Sequence, residues 1–233
     1  MVLPAFVNVG ATRYSANPLV IDYPASVAAG NLILLLVHQK SANPLPNALS
    51  LPSGDWFSMF EDLHDNGLSP RQRLSVAGKW ADGSESGTLS INAPDSTGAG
   101  AHGVMMQFSG VGRTGSAPQI EGAAAKVENH SGAGTYTPPD LVTTGADRLG
   151  VLLAGWTDDN SVPDSAGLTG WTKRFQTYNN ALANDYCTAG STATRLTAGT
   201  LVSGAISAAQ LCQFRVFAFY NRPSGGAQAV IVR

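Results

Sequence analysis

The sequence is poor in charge and has no long hydrophobic run. Charged residues make up 13% of the 233-residue chain, about half the usual share. Helices that face solvent depend on Glu, Lys and Arg for their outer side, so this shortage disfavours long exposed helices. The longest aliphatic run covers residues 32–37, far fewer than a membrane-spanning helix needs. The chain is therefore expected not to insert into a membrane.

The charges that are present nearly balance. Lys and Arg total 14 against 16 Asp and Glu, a formal net charge of −2. A protein that binds nucleic acid by neutralising phosphates carries an excess of basic residues, so no nucleic-acid partner is expected. The first residues have neither a basic segment nor a long apolar stretch, which argues against a secretory signal and for synthesis in the cytoplasm.

Cysteine is scarce. Cys187 and Cys212 both lie in strand-like stretches. Two thiols that face each other on paired strands could oxidise, but free buried cysteines fit a chain made in the cytoplasm better. The sequence leaves the redox state of the pair open.

Glycine, at 26 residues, is abundant, and it marks an internal repeat. Four elements occur twice in the same order, at offsets between 112 and 115 residues: Val27 to Gly30 with Val142 to Gly145, Gly54-Asp55-Trp56 with Gly170-Trp171, Ala77-Gly78 with Ala189-Gly190, and Gly87-Thr88-Leu89 with Gly199-Thr200-Leu201. We interpret residues 1–111 and 119–221 as two copies of one unit, residues 112–118 as a connector and residues 222–233 as a strand-like tail.

The patterns inside each copy are typical of β-strands. Residues 74–80 and 88–91 alternate apolar and polar side chains, residues 32–37 are apolar throughout, and residues 213–220 are rich in aromatic residues. Turn-forming clusters separate these segments. The sequence predicts an all-β, antiparallel β-sandwich of jelly-roll type, in which two pseudo-repeats pack together. It leaves open whether they form one sandwich or two.

No motif in the chain indicates a reaction. Nucleophile elbows, paired Cys-x-x-Cys motifs, zinc-protease helices and phosphate-binding glycine loops are all missing. The acidic loops around Glu61 and Asp158 contain oxygen ligands, but neither follows the spacing of a calcium-binding loop. We therefore expect a protein that is not an enzyme and that holds no cofactor or metal.

Two segments are candidate binding sites. Trp156 has no counterpart in the first copy and precedes Asp158, Asp159 and Asn160. An aromatic ring beside acidic and amide groups can hold a sugar, so these four residues are the candidate glycan contact.

The second candidate is the apolar tail. Val230, Ile231 and Val232 follow the Gly225-Gly226 pair, and they either fold back on their own sheet or add to the edge of a neighbouring molecule.

Several segments carry a resemblance to a known group: residues 30–34, 52–56, 76–83, 138–141, 149–154 and 170–172. In their order they resemble the double β-sandwich minor virion or tail-associated proteins of tailed bacteriophages and prophages. The resemblance spans most of residues 20–221, and its motifs are structural, so no catalytic residue is implied. It implies a head decoration, fibre or tail accessory protein.

The sequence thus leads to two hypotheses. The first is a non-enzymatic structural component of a bacteriophage particle, made in the host cytoplasm, located in the virion and assembled as a homo-oligomer with other virion proteins. The alternative is a carbohydrate-binding module or adhesin that contacts a glycan on the host surface. Head or tail location, copy number and glycan identity stay open.

Overall fold

The protein consists of antiparallel strands arranged in two large sheets. A computed structural model describes residues 2–15, 18–41, 48–52, 54–64, 71–93, 101–156, 168–179, 186–195, 198–201 and 206–223. These residues form strands and turns but no helix, and hence no helix that could cross a membrane. The prediction of an all-β, antiparallel β-sandwich is confirmed.

The first sheet is built from the N-terminal half. The described strands of this half are β1 (Ala5–Val9), β2 (Arg13–Ser15), β3 (Leu19–Asp22), β4 (Leu32–Ser41), β5 (Trp56–His64), β6 (Arg71–Trp80), β7 (Thr88–Ile91) and β8 (Ala101–Ser109). The order across the sheet is β1-β8-β4-β6-β5, with β2 paired to β8. Strands β3 and β7 form a separate pair.

The second sheet is built from the C-terminal half. A short hairpin of β9 (Arg113–Thr114) and β10 (Ala117–Pro118) leads to β11 (Ile120–Tyr136), β12 (Leu141–Thr143), β13 (Arg148–Trp156), β14 (Thr172–Asn179), β15 (Tyr186–Arg195), β16 (Gly199–Leu201) and β17 (Ile206–Phe219). The order is β11-β17-β13-β15-β14, and β12 pairs with β16. If β2 is left out of the first half and the β9–β10 hairpin out of the second, both sheets have the same strand order, first, seventh, third, fifth and fourth. A duplicated unit would give this correspondence, and the duplication itself stays a prediction.

The large sheets pack face to face around a shared core. Leu34 on β4 and Met106 on β8 belong to the same buried cluster as Val151 on β13 and Phe217 on β17. Phe108 and Phe219 meet across the sheets, with ring centroids 5.2 Å apart. The central core therefore draws side chains from both halves.

The outer faces of the two sheets are covered by the small strand pairs. Ile33 and Leu35 of β4 point away from the central core and pack in a cluster with Leu19 and Ile21 of β3. Leu152 of β13 likewise points away from the central core and packs in a cluster with Leu141 of β12. This arrangement gives four layers and explains why residues 32–37 are apolar throughout, since β4 is buried on both faces.

Candidate assembly surface

Trp156 lies in the core, at the end of β13. It is 1% exposed and belongs to the buried cluster between the second sheet and its outer cover. Because β13 is the central strand of its sheet, the residue has strands on both sides. A sugar stacks only on an exposed ring face, and this ring presents none, contrary to the expected glycan contact. Asp158, Asp159 and Asn160 lie outside the described residues.

The register excludes a bond between the two cysteines. Cys187 on β15 and Cys212 on β17 both pair with Trp156, from opposite sides of β13. Their Cα atoms are thus two strand spacings apart, about 10 Å, whereas a disulfide requires at most about 7 Å. Cys212 is a buried thiol that takes no part in a disulfide.

The chain leaves the described structure at the end of the sandwich where β4 begins. Arg222 forms two backbone hydrogen bonds with Val2, and Asn221 pairs with Val111. Val230, Ile231 and Val232 lie outside the described residues. The tail therefore starts beside the N-terminus, where Val2 and Leu3 are about half exposed.

Strand β5 forms an open edge of the first sheet. Among the described strands it pairs with β6 alone. A bulge interrupts this pairing between Ser58 and Phe60, and residues 60–64 then continue in regular register. Leu63 in this stretch is 43% exposed. An edge of this kind offers backbone groups to another strand, although the Asp62 carbonyl already accepts a hydrogen bond from the Gln213 side chain over 3.3 Å.

A groove of about 410 Å³ lies beside this stretch. Its walls come from β5, from the edge strand β11 and from β17. The lining residues are Glu61, Asp62, Leu63, Ala125, Lys126 and Phe214. The groove thus runs between the edge of one sheet and the edge of the other, and three of its six lining residues, Glu61, Asp62 and Lys126, are charged.

The two acidic groups of the groove are paired with arginines, and Lys126 Nζ donates to the Thr137 carbonyl over 2.8 Å. The Arg215 guanidinium donates to both carboxylate oxygens of Asp62, with Nε 2.7 Å from Oδ2, and Arg73 donates to Glu61 at 2.6 Å. Arg215 also lies over the Phe60 ring, with Cζ 4.3 Å from its centroid. Because Arg215 belongs to β17 and Asp62 to β5, this pair ties the two sheets together at the groove.

At the opposite pair of edges, where β1 faces β14, the described residues include no comparable ion pair. The Arg174 guanidinium of β14 lies over the ring of Phe6 on β1, with Cζ 4.6 Å from the centroid. Lys173 on the same strand is exposed. Lysine on an edge strand discourages pairing with another chain, so β14 is a poorer receiving edge than β5.

Two histidines meet in the central layer, which the sequence did not indicate. His38 on β4 pairs with His102 on β8. His38 Nε2 donates to Oε1 of Gln72 over 3.1 Å, and His102 Nδ1 lies 2.8 Å from the hydroxyl of Thr188 on β15. Burial lowers the pKa of His38 to about 3 and that of His102 to about 4. Both rings are neutral and closed off from solvent at pH 7, as befits structural groups.

Within the described ranges, no group of three or more His, Cys, Asp or Glu side chains is placed to hold a metal ion. Comparison of the chain with protein-family models, with characterised proteins and with solved structures finds no match.

Proposed function

We propose that the chain is a non-enzymatic structural component of a bacteriophage particle and that it assembles by addition of a strand to β5. The observation that carries the proposal is the edge stretch of residues 60–63, which among the described strands pairs with β6 alone and which lies beside the groove. The receiving surface is this stretch together with the groove. The strand that docks there contains Val230, Ile231 and Val232.

Strand addition uses both parts of the surface. The backbone of an added strand hydrogen-bonds to the open edge, and its alternate side chains enter adjacent pockets. A strand beside residues 60–64 would direct every second side chain towards the groove, whose walls include Leu63, Ala125 and Phe214. Valine and isoleucine suit such a position because they favour strands and bury apolar area.

The direction of the strands favours a tail from a second copy. Phe219, at the end of β17, packs on Phe108, which pairs with Leu32. Leu32 and Trp56 both pair with the last residues of β6, so the chain leaves at the end of the sandwich where β4 and β5 begin. A tail that reached the groove of its own molecule would run parallel to β5. All described strand pairs of the large sheets are antiparallel, a pairing that a second copy can supply.

The assignment to a phage particle rests on the resemblance of the sequence motifs to virion and tail-associated proteins. Its partners would be further copies of the chain and other virion proteins. Mass spectrometry of purified particles from a phage or prophage that encodes the sequence tests it directly. We expect the chain among the particle proteins, and particles without it would contradict the assignment.

Light scattering of the purified chain tests the assembly mechanism. We expect a trimer or larger oligomer, and we expect it to dissociate to about the 24.1 kDa monomer mass when the chain is truncated after Gly226. Leu63→Lys should weaken the oligomer as well, because a charge would face the docked strand. Val142→Lys is the matched control, since Val142 is an exposed valine on β12.

Two results would contradict the mechanism. An oligomer that persists in the truncated chain would exclude the tail as the docking strand. A full-length chain that stays monomeric at high concentration would exclude self-assembly.

A further inference from the structure

A small pocket at the end of the sandwich where β4 begins brings two arginines together. It has a volume of about 30 Å³, and its lining residues are Gly30, Trp80, Val111, Arg113 and Arg222. None of these residues is acidic. The pocket lies where three segments converge: the turn before β4, the β9–β10 hairpin and the end of β17.

Backbone hydrogen bonds fix the segments that carry both arginines. Gly112 donates to the carbonyl of Tyr220 over 2.8 Å, which anchors the residue next to Arg113. Arg222 donates its own N–H to the carbonyl of Gly110 over 2.8 Å and is paired with Val2. The two side chains therefore start from positions that the fold defines, which reduces the entropy lost when they bind a common ligand.

Trp80 and Gly30 complete the walls. The indole N–H of Trp80 donates to the Ser116 carbonyl over 2.7 Å, and Arg113 Cζ lies 5.5 Å from the ring centroid. Gly30 has a φ of +80°, and a Cβ there would lie 3.8 Å from Nη1 of Arg222. A Cβ at that distance makes an ordinary van der Waals contact, so the glycine is favoured here by its positive φ, which would strain any other residue.

We propose that this pocket binds an oxyanion group, either a phosphate or a carboxylate. Both arginines are exposed, so solvent screens their mutual repulsion, and an anion that contacts both is attracted by two positive charges at once. Guanidinium groups present N–H donors in a planar fork that matches the oxygens of both groups. A volume of about 30 Å³, where a cavity needs about 10–15 Å³ to hold one water molecule, admits one or two oxygen atoms and leaves the rest of the ligand outside.

Nitrogen-15 NMR of the full chain tests the proposal. Sodium chloride is replaced stepwise, at constant ionic strength, by sodium phosphate or by sodium acetate, and the signals of the Trp80 indole and the arginine Nε–H groups are followed. We expect saturable shifts at Trp80, Arg113 and Arg222 with at least one of the two anions. The anion that produces them identifies the group as phosphate or carboxylate.

Substitutions supply the control. Arg222→Ala and, independently, Arg113→Ala should weaken binding about tenfold or more, and Arg222→Lys should recover only part of it because lysine lacks the fork. Lys173→Ala removes an exposed charge elsewhere and should leave binding unchanged. Equal weakening by Lys173→Ala, or the absence of saturable shifts with both anions, would overturn the proposal.

Discussion

At the scale of single residues, the two histidines of the central layer determine how the fold responds to acid. Both are buried between the sheets, and the ring of His38 lies against Gly155 of β13, where a Cβ would come within 2.8 Å of it. Lys40 on the same strand disfavours a further positive charge at His38. Protonation would therefore place a cation in a buried interface.

The pH dependence follows from the direction of the pKa shifts. Both folded-state pKa values, about 3 for His38 and about 4 for His102, lie below the ordinary value near 6.5, so the unfolded chain binds more protons in acid. As far as these two histidines determine it, the free energy of unfolding is therefore highest above pH 6.5 and falls as the pH decreases. Between pH 6.5 and 4.5 we expect a loss of about 2 kcal/mol per histidine.

Urea unfolding at several pH values measures this loss. His38→Gln and His102→Gln each remove one titrating group, so each should flatten the slope of stability against pH, and the double variant should flatten it most. An unchanged slope in the double variant would assign the acid sensitivity to other groups.

At the scale of strands, the Asp62–Arg215 pair joins β5 to β17. Both side chains are 13% exposed, so water screens the pair only in part. Loss of one partner leaves the other charge mostly buried without its counterion, which is costly. We expect a coupling of about 1–3 kcal/mol in a double-mutant cycle of Asp62→Ala and Arg215→Ala, measured by urea unfolding.

The Arg13–Asp22 pair is the control for that cycle. The Arg13 side chain is 53% exposed, so solvent screens this pair well. We expect a much smaller coupling there. Equal coupling in the two cycles would mean that the tie between the sheets adds nothing beyond an ordinary surface pair.

At the scale of the whole molecule, the shared central core couples the two halves. Leu34 and Met106 from the first half pack in one cluster with Val151 and Phe217 from the second. Neither large sheet can bury this face alone, so we expect the halves to unfold together. Circular dichroism and tryptophan fluorescence should follow one coincident urea transition, since each half contains two tryptophans. Two separate transitions would contradict the coupling.

Some features of the fold could be read directly from local sequence. The repeated Ala-Gly elements fall at Gly78 on β6 and Gly190 on β15, and each glycine lies under a phenylalanine of the neighbouring edge strand. The apolar run of residues 32–37 forms the first part of β4, a strand that is buried along its whole length. These signals are local because the alternation of a strand and the requirement for glycine at one of its positions both appear within a few residues of sequence.

Features that depend on distant residues could not be read in this way. Trp156 looked like a rim residue because polar side chains follow it, yet its strand lies at the centre of a sheet. The pairing of His38 with His102 joins residues 64 positions apart, and the groove combines β5 with β11. No pattern within a short segment of the sequence indicates such contacts between distant residues.

The sequence by itself determined the fold class, the antiparallel strands and the low charge, because alternation, turn residues and composition are properties of short segments. Only the tertiary structure decided which faces meet, which edges stay open and which side chains share a pocket. The physical reason is that sheet order and sheet packing join residues from opposite halves of the chain, and burial depends on those contacts rather than on the neighbours of a residue in sequence.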